Sequence, residues 1–265
     1  MTEPSDNQIA EWAQKQLSDY DNRTPGLLFA DGLTLTIPEA YALQTTVADL
    51  RVARGEHVVG YKVGCTSETI RRQLSINHCV TGRLFDSERH RSGVILSRSE
   101  FATPAIEGEL AVELERAPSD ADFQTDGIPS CVASIFPVIE LHHRVMRGAQ
   151  PTAAELIANN AINGGFVAGN PAFADDFSPG CLRDAGLSIQ LNGGVIDEYS
   201  GPQLVHTINS SLKWLHEMMR DRGERLEAGQ VILTGSIPAL HTIEENCEIR
   251  VDSRPLGSVH MTFTS

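Results

Sequence analysis

The stretch Pro104-Ala105-Ile106-Glu107-Gly108-Glu109-Leu110-Ala111-Val112-Glu113-Leu114-Glu115 alternates between apolar and acidic side chains. Alternate residues of a β-strand point to the same face of a sheet. The even-numbered positions from 106 to 114 are apolar apart from Gly108, and the odd-numbered positions from 107 to 115 are glutamates apart from Ala111. The stretch therefore predicts a strand that buries one face in the core and presents carboxylates on the other.

The sequence on either side of this strand predicts helices first and a strand-rich body afterwards. Apolar residues recur at helical spacing in 6–20 and in 37–54, and Thr36 with Glu39 predicts a capping box for the second helix. Further helices are predicted at 151–159 and 207–220, and Asn192-Gly193-Gly194 predicts a hairpin turn. The predicted strands are 58–63, 107–114, 132–141, 165–168, 187–191, 195–199, 231–234, 247–251 and 258–262.

This order of elements predicts an α+β fold with a mixed, β-roll or barrel-like sheet core. The change from helical to strand-like spacing separates an N-terminal helical region (1–56) from a β-rich catalytic domain (57–265).

Composition narrows the classes of function and partner. The chain has 265 residues and a formal net charge of −14, which disfavours a nucleic-acid partner because phosphate backbones are repelled. Its five cysteines are widely spaced without a CxxC pair, which argues against a disulfide framework or a thiolate zinc site. The polar N-terminus and the lack of an apolar run of about 18 residues predict a cytoplasmic protein without a membrane partner.

The first candidate site is the acidic face of the strand. Glu107 and Glu109 would lie roughly 6.5–7 Å apart at the backbone, so their side chains could converge on one hard divalent cation. A strand glycine such as Gly108 often permits a close approach, here interpreted as favouring a functional site. The alternative is a solvated acidic face with no ligand.

A third carboxylate and a lysine extend this candidate site. Glu140 ends the apolar run 132–141, where a lone carboxylate is costly unless it is paired, for example with Arg144, or bound to a metal. Lys62, in Gly60-Tyr61-Lys62-Val63-Gly64, could carry a proton at a lowered pKa or pair with a substrate carboxylate; the alternative is an ordinary strand-end lysine. His142 and His143 are interpreted as surface or pocket-rim residues.

Taken together, the segments resemble the fumarylacetoacetate hydrolase superfamily, in its 2-keto-4-pentenoate (2-hydroxypentadienoate) hydratase and 4-oxalocrotonate decarboxylase branch. The resemblance runs from about residue 37 to the C-terminus. The segments that carry it are, in chain order, GYKVG, GRLF, PAIEGELAVEL, FPVIEL, NNAINGGFVAG, ILTGS and LGSV.

The resemblance implies the superfamily's mixed β-roll and a role for each matching residue. Glu107, Glu109 and Glu140 match the ligands of a Mg²⁺ ion, with Mn²⁺ as the alternative, and Lys62 matches the catalytic lysine. The substrate-binding candidates are Leu84, Phe85, Val80, Ile162 and Thr234. Val80 and Ile162 are departures, because the hydratases of this branch carry an aspartate and a serine at these places.

The implied function is a homo-oligomeric hydro-lyase acting on small anionic 2-hydroxy-2,4-dienoates or 2-oxo acids, as in meta-cleavage aromatic catabolism. The alternatives are a decarboxylase of a 2-oxo-enedioate, an acylpyruvate-type C–C hydrolase, and a protein that only binds such acids. The apolar Val80 favours the decarboxylase. No histidine–glutamate pair near the N-terminus is found to supply the base of a hydrolase.

Overall fold

Helices precede strands in the computed structural model, which describes residues 4–124, 127–148, 150–173, 182, 184–237 and 239–265. The α-helices in this part of the chain are α1 (Asp6–Asp21), α2 (Ile37–Ala53), α3 (Glu68–Gln73), α4 (Ala153–Ala158) and α5 (Gln203–Asp221). The strands are β1 (Val58–Gly64), β2 (Val80–Phe85), β3 (Arg89–Arg91), β4 (Val94–Ser97), β5 (Ala105–Leu114), β6 (Val132–His142), β7 (Asn163–Ala168), β8 (Ala172–Phe173), β9 (Gly186–Leu191), β10 (Gly194–Ser200), β11 (Val231–Leu233), β12 (His241–Thr242), β13 (Cys247–Arg254) and β14 (Gly257–Thr264).

Two sheets contain these strands. The larger has the order β2-β1-β11-β5-β6-β7-β3, with β12 also pairing with β5 and β8 with β6. The smaller has the order β10-β9-β13-β14-β4. Parallel pairing of β1 with β11 and antiparallel pairing of β5 with β6 make the larger sheet mixed. The predicted α+β class with leading helices is confirmed.

The core lies between the sheets, on the apolar face of β5. Ile106, Leu110, Val112 and Leu114 belong to one buried cluster with residues of β9 and β13. Gly108 is on the same face, and a Cβ atom there would lie 2.7 Å from Ile189 and 2.9 Å from Val251. The close approach that Gly108 permits is therefore by the second sheet and not by a ligand, which corrects its functional interpretation.

The N-terminal helices pack against the side of the larger sheet. The predicted capping box is present, since the Thr36 backbone N–H donates to Glu39 Oε2 over 2.7 Å and the Thr36 hydroxyl oxygen accepts from the Glu39 backbone N–H. The buried amide of Gln44 donates to the carbonyl oxygens of Thr81 and Ile157, both over 2.8 Å. These contacts join α2 to β2 and α4. The predicted boundary after residue 56 falls in the connection between α2 and β1.

Arg51 is the buried ionic link between α2 and the sheet. Its guanidinium is 2.5 Å from a Glu56 carboxylate oxygen and 2.7 Å from one of Glu88, and it lies 3.7 Å from the centroid of the Phe85 ring. Phe85 is 2% exposed, and its ring packs against the Arg51 guanidinium.

We expect Arg51→Ala to destabilise the fold by about 3–5 kcal/mol, because it leaves the partly buried Glu88 without its cation and Glu56 with Arg54 alone. The matched control is Arg54→Ala, which removes a 38%-exposed arginine that pairs with Asp21 and Glu56. It should change the free energy of unfolding by no more than about 1 kcal/mol, because Arg51 still pairs with Glu56. Urea unfolding followed by circular dichroism measures both. Equal effects of the two substitutions would contradict the assignment of Arg51 as the link.

Candidate active site

The acidic face of β5 meets an acid of β6 at the centre of the larger sheet. Glu107 pairs in register with Glu140, and Glu109 with Val138. Glu109 is 2% exposed and Glu140 is 1% exposed, while the Glu107 side chain keeps 21% exposure. The alternative of a solvated acidic face is therefore wrong for this part of β5. Glu115, further along the strand, is exposed.

Two buried carboxylate oxygens in this cluster have no hydrogen-bond partner among the described residues. They are Oε1 of Glu109 and Oε2 of Glu140. The other oxygen of Glu109 accepts from the Gly235 backbone N–H, and Oε1 of Glu140 accepts from Asn163 Nδ2 over 2.9 Å. Buried oxygens without partners are rare because they lose hydration without compensation. An all-oxygen set with free lone pairs fits a hard divalent cation.

His142 is a member of the cluster that the sequence analysis did not assign to it. Ligand atoms of Glu107, Glu140 and His142 all lie within 4.8 Å of one another, a grouping that could hold a metal ion. Its Nε2 is 3.2 Å from Glu107 Oε2, and its Nδ1 has no partner among the described residues. Glu109 is not in this grouping, although its charge interacts strongly with that of Glu140.

Of the surface or pocket-rim interpretation of the two histidines, the surface part is wrong, whereas His142 does line the cavity beside the cluster. His142 is 2% exposed and His143 is 4% exposed. His143 packs against Tyr20 of α1 with ring centroids 4.3 Å apart, and its Nε2 lies 3.0 Å from the Tyr20 carbonyl oxygen. Burial lowers the pKa of His143 to about 4, so this histidine is a neutral packing residue at neutral pH.

Lys62 provides the positive charge of the site. It lies on β1 between β2 and β11, and its Nζ is 2.9 Å from Glu140 Oε1 and 3.3 Å from the Ala161 carbonyl oxygen. Burial alone lowers the pKa of Lys62, but the charges of Glu140 and Glu107 outweigh burial and raise it. The lowered pKa expected for Lys62 is therefore wrong. The salt-bridge partner of Glu140 is Lys62 and not Arg144.

The three glutamates differ in their electrostatics. Burial and the charges of Glu140 and Glu107 raise the pKa of Glu109 well above its usual value. Burial also acts to raise the pKa of Glu107, but the hydrogen bond and charge of His142, together with Lys62, outweigh it and lower the pKa. One lysine thus faces three carboxylates. A divalent cation would complete the charge balance, because opposite charge at close range favours ionised carboxylates.

A left-handed turn at residues 160–162 positions a backbone carbonyl group next to Lys62. Asn160, Ala161 and Ile162 have φ values of 53°, 50° and 57°, a region that is costly for residues other than glycine and most of all for a β-branched one. The Asn160 side chain fixes the turn: its Oδ1 accepts from the Arg83 backbone N–H over 2.7 Å, and its Nδ2 donates to the Arg83 carbonyl oxygen over 2.9 Å. The turn presents the Ala161 carbonyl oxygen to Lys62.

A cavity of about 480 Å³ opens beside this cluster. Lys62, Glu107 and His142 line one part of it, and Val80 and Ile162 contribute apolar wall. Much of the remaining described wall comes from the connection after β1 with the start of α3, and from the connection after β11. These residues are Cys65, Thr66, Ser67, Thr69, Ile70, Ser236, Ile237, Ala239 and Leu240.

The other substrate-binding candidates lie elsewhere. Leu84 is fully buried in an apolar cluster with Phe136 and Phe166, and Phe85 packs under Arg51; neither lines this cavity. Thr234 is 1% exposed and its hydroxyl donates to the Leu110 carbonyl oxygen over 2.8 Å. Its role in the structure is to hold the end of β11 against β5, next to the Gly235 N–H that contacts Glu109.

Comparison with known proteins identifies the family. The family model described as "Fumarylacetoacetate (FAA) hydrolase C-terminal" matches residues 87–264, which is more than half of the chain. The chain belongs to the fumarylacetoacetate hydrolase family. No helix in the described ranges of this family member is long and apolar enough to cross a membrane.

Its relatives within the family include hydratases and decarboxylases. The chain is 29% identical over 226 residues to a 2-keto-4-pentenoate hydratase of Burkholderia vietnamiensis, covering 85% of each chain. It is 26% identical over 255 residues to a 4-oxalocrotonate decarboxylase of Pseudomonas putida, covering 96% of this chain and 92% of the other. The solved structure of a 4-oxalocrotonate decarboxylase from Pseudomonas putida G7, complexed with magnesium and adipate, matches with a TM-score of 0.89 and 25% identity, over 99% of this chain and 100% of that one.

Two residues of this family member's site escaped the sequence analysis. Asn163, fully buried at the start of β7, orients Glu140 by a direct hydrogen bond. Nothing in local spacing indicates it, because the contact spans 23 residues of chain. His142 had a usable signal, since it follows Glu140 by two positions and alternate strand residues share a face.

We expect Asn163→Ala to lower the affinity for Mg²⁺ by about 10- to 100-fold, because groups that orient a metal ligand contribute that much to affinity. Asn159→Ala is the matched control, since Asn159 donates its amide to the Glu155 carbonyl oxygen and not to the cluster. Isothermal titration calorimetry with MgCl₂ on both variants measures the difference. An unchanged Mg²⁺ affinity in Asn163→Ala would mean that Glu140 needs no such support.

Proposed function

We propose that this fumarylacetoacetate hydrolase family protein is a divalent-metal-dependent hydro-lyase that acts on 2-hydroxy-2,4-dienoates or the corresponding 2-oxo acids. The observation that carries the proposal is the pair of unpartnered, buried carboxylate oxygens on Glu109 and Glu140, next to a cationic Lys62 and a cavity. The printed names of the relatives support the same class of reaction. We further infer a cytoplasmic homo-oligomer whose catalytic part is 57–265.

Glu107, Glu109 and Glu140 would hold the cation, with Mg²⁺ preferred and Mn²⁺ as the alternative, and His142 is a fourth available donor. When bound, the cation would supply Lewis-acid chemistry to the 2-oxygen of the substrate. The unpartnered oxygens of Glu109 and Glu140 are the free donors in this set. The Gly235 N–H and Asn163 fix the remaining oxygens, so the carboxylates are oriented before any ligand enters.

Lys62 is the proposed catalytic residue. Its ammonium lines the cavity, held between Glu140 and the Ala161 carbonyl oxygen, and can donate a proton or a hydrogen bond to a bound acid. Addition of water to a dienoate puts a proton on one carbon and a hydroxyl on another, so a fixed proton donor at the cavity wall suits the reaction. Val80 and Ile162 contribute apolar side chains to the same wall.

The decarboxylase of a 2-oxo-enedioate is the second candidate, and Val80 is the observation that favours it. Val80 is fully buried and lines the cavity. It lies near Lys62, because a Cβ atom added to Gly64 would be 3.3 Å from Val80 Cγ2 and 3.5 Å from Lys62 Nζ. The apolar Val80 side chain offers no hydrogen bond to an incoming water molecule. Departure of CO₂ needs no such water, and both reactions pass through the same delocalised enolate.

A Mg²⁺-dependent ultraviolet assay separates these functions. The enzyme is given 2-hydroxypentadienoate and 2-oxohex-3-enedioate in parallel, with CO₂ detection and with EDTA as the control. Loss of the diene absorbance without CO₂ is the expected result and identifies a hydratase. Release of CO₂ identifies the decarboxylase. Failure to convert either acid in the presence of Mg²⁺ would contradict both.

A further inference from the structure

A second chamber adjoins this cavity at His142. It has a volume of about 450 Å³. The two spaces share wall residues, which are Ile70, His142, Leu156, Ile162 and Leu240. Because the two spaces adjoin at these residues, a molecule that bridges them would have one end at the carboxylate cluster and the other in the second chamber.

The second chamber has the chemistry of an anion site. Its described lining holds one arginine, Arg144, and no aspartate or glutamate, although the chain as a whole carries a net charge of −14. The other polar lining residues are Gln73, Thr103, His142, Gln150 and Thr242. The first cavity is lined instead by the acid Glu107 and by Lys62, which is already paired with Glu140.

Arg144 is available for a ligand. Its Nη2 donates to the Gly148 carbonyl oxygen over 2.5 Å, and this is its one side-chain hydrogen bond within the described part of the chain. No carboxylate among the described residues lies within 4.0 Å of the guanidinium. The nearby Glu155 interacts with Arg144 through charge alone: burial raises the pKa of Glu155, and the charge of Arg144 acts to lower it. A guanidinium has five N–H donors in a planar fork that matches a carboxylate, so most of them are unused here.

The position of Arg144 along the chain sets the length of a ligand. Glu140, His142 and Arg144 follow one another at two-residue steps, so the backbones of Glu140 and Arg144 are at most about 13 Å apart. Arg144 is among the described lining residues of the second chamber and not of the first, so its guanidinium lies on the far side of the shared residues, within reach of the far end of an elongated acid.

We propose that this enzyme takes a dicarboxylic substrate, with its 2-oxo-acid end at the Glu107–Glu109–Glu140 cluster and its distal carboxylate on Arg144. The inference rests on the proposed function and deepens it, since Arg144 becomes the residue that favours diacids. The monoacid 2-hydroxypentadienoate is then a substrate that binds more weakly than a dienoate with a distal carboxylate. Leu156 and Ile162 cover the apolar middle of the molecule.

Binding of two inert acids tests this assignment without relying on turnover. 2-Oxohexanedioate and 2-oxohexanoate differ in the distal carboxylate alone, and calorimetry in the presence of Mg²⁺ gives the Kd of each. The wild type should bind the diacid at least about tenfold more tightly, as expected for a charge-assisted hydrogen-bond pair. Arg144→Gln should reduce this preference to less than about threefold by weakening the diacid alone.

Two further variants keep the test interpretable. Arg147→Gln removes an exposed arginine of the same segment that bonds the Pro25 carbonyl oxygen, and should keep the full preference. Arg144→Lys keeps the charge and should retain part of the preference even if Arg144→Gln folds poorly. Equal affinity of the wild type for both acids, or equal weakening of both by Arg144→Gln, would overturn the inference.

The outcomes also separate this inference from the proposed function. A diacid preference that depends on Arg144, without turnover of any dienoate, would support the assignment of Arg144 and reject the hydro-lyase. Failure of both acids to bind with Mg²⁺ would overturn the carboxylate-cluster function and this inference together.

Discussion

Replacement of Glu107 by glutamine is expected to lower Mg²⁺ affinity and kcat/KM each by more than about 100-fold, because a direct ligand matters more than the groups that merely orient it. Glu107 is the best ligand to change, since it is the partly exposed one and its removal leaves the Lys62–Glu140 pair intact. Glu140→Gln should have the same effect on the metal. It also leaves Lys62 without its carboxylate, so a loss of stability of about 3–5 kcal/mol accompanies it.

Glu113→Gln is the matched control for this experiment. Glu113 lies on the same strand and the same face, six residues beyond Glu107, and pairs with Ser134 outside the cluster. Calorimetry with MgCl₂ and the ultraviolet assay should show wild-type values for this control. A folded Glu107→Gln protein with full Mg²⁺-dependent turnover would reject the metal-centre proposal.

Removal of the ammonium in Lys62→Met is expected to lower kcat by about 10²- to 10⁴-fold, the usual contribution of a positioned proton donor. The same change removes the salt-bridge partner of Glu140, which stays buried without another lysine or arginine bonded to it among the described residues. Mg²⁺ should therefore raise the melting temperature of Lys62→Met more than that of the wild type, since the cation takes over the neutralisation of Glu140.

Lys213→Met removes an exposed lysine on α5 and serves as the control for general charge effects. Thermal unfolding with and without MgCl₂, together with steady-state kinetics, separates the two roles of Lys62. Retention of kcat with a raised KM would show that Lys62 binds the substrate without moving a proton. Wild-type kinetics in Lys62→Met would show that Lys62 has no role in binding or turnover of the substrate.

The strands and the acids of the site were accessible from sequence because each depends on local spacing. The alternation in 104–115 is enough to place Glu107 and Glu109 on one face of β5, and the apolar run before Glu140 is enough to place that acid on a buried strand. Most predicted boundaries agree with the structure within two residues, including 132–141 for β6, although the predicted helix 207–220 begins four residues after the start of α5 at Gln203. The resemblance then connected these segments into one site.

The misses have physical causes that a single sequence does not display. The short strands β3, β8 and β12 have two or three residues, too few for a periodic pattern. The pKa of Lys62 depends on which acids surround it, and these come from strands 45 and 78 residues away in sequence. Gly108 allows a close approach, as expected, but the partner that approaches is fixed by the packing of the second sheet.

The strand β11 is much shorter than its neighbour β5, and this has a consequence for how the substrate range of the protein can evolve. β11 stops at Leu233, opposite Ala111, and beyond it the edge of β5 is met by the irregular segment Thr234-Gly235-Ser236. The proposed cation donors thus stand on long, paired strands, while much of the described cavity wall belongs to connecting segments, including Cys65, Thr66, Ser67, Ser236, Ile237, Ala239 and Leu240. Connecting segments tolerate insertion and exchange better than paired strands do. New substrate ranges can therefore arise by remodelling these segments while the reaction centre is inherited unchanged.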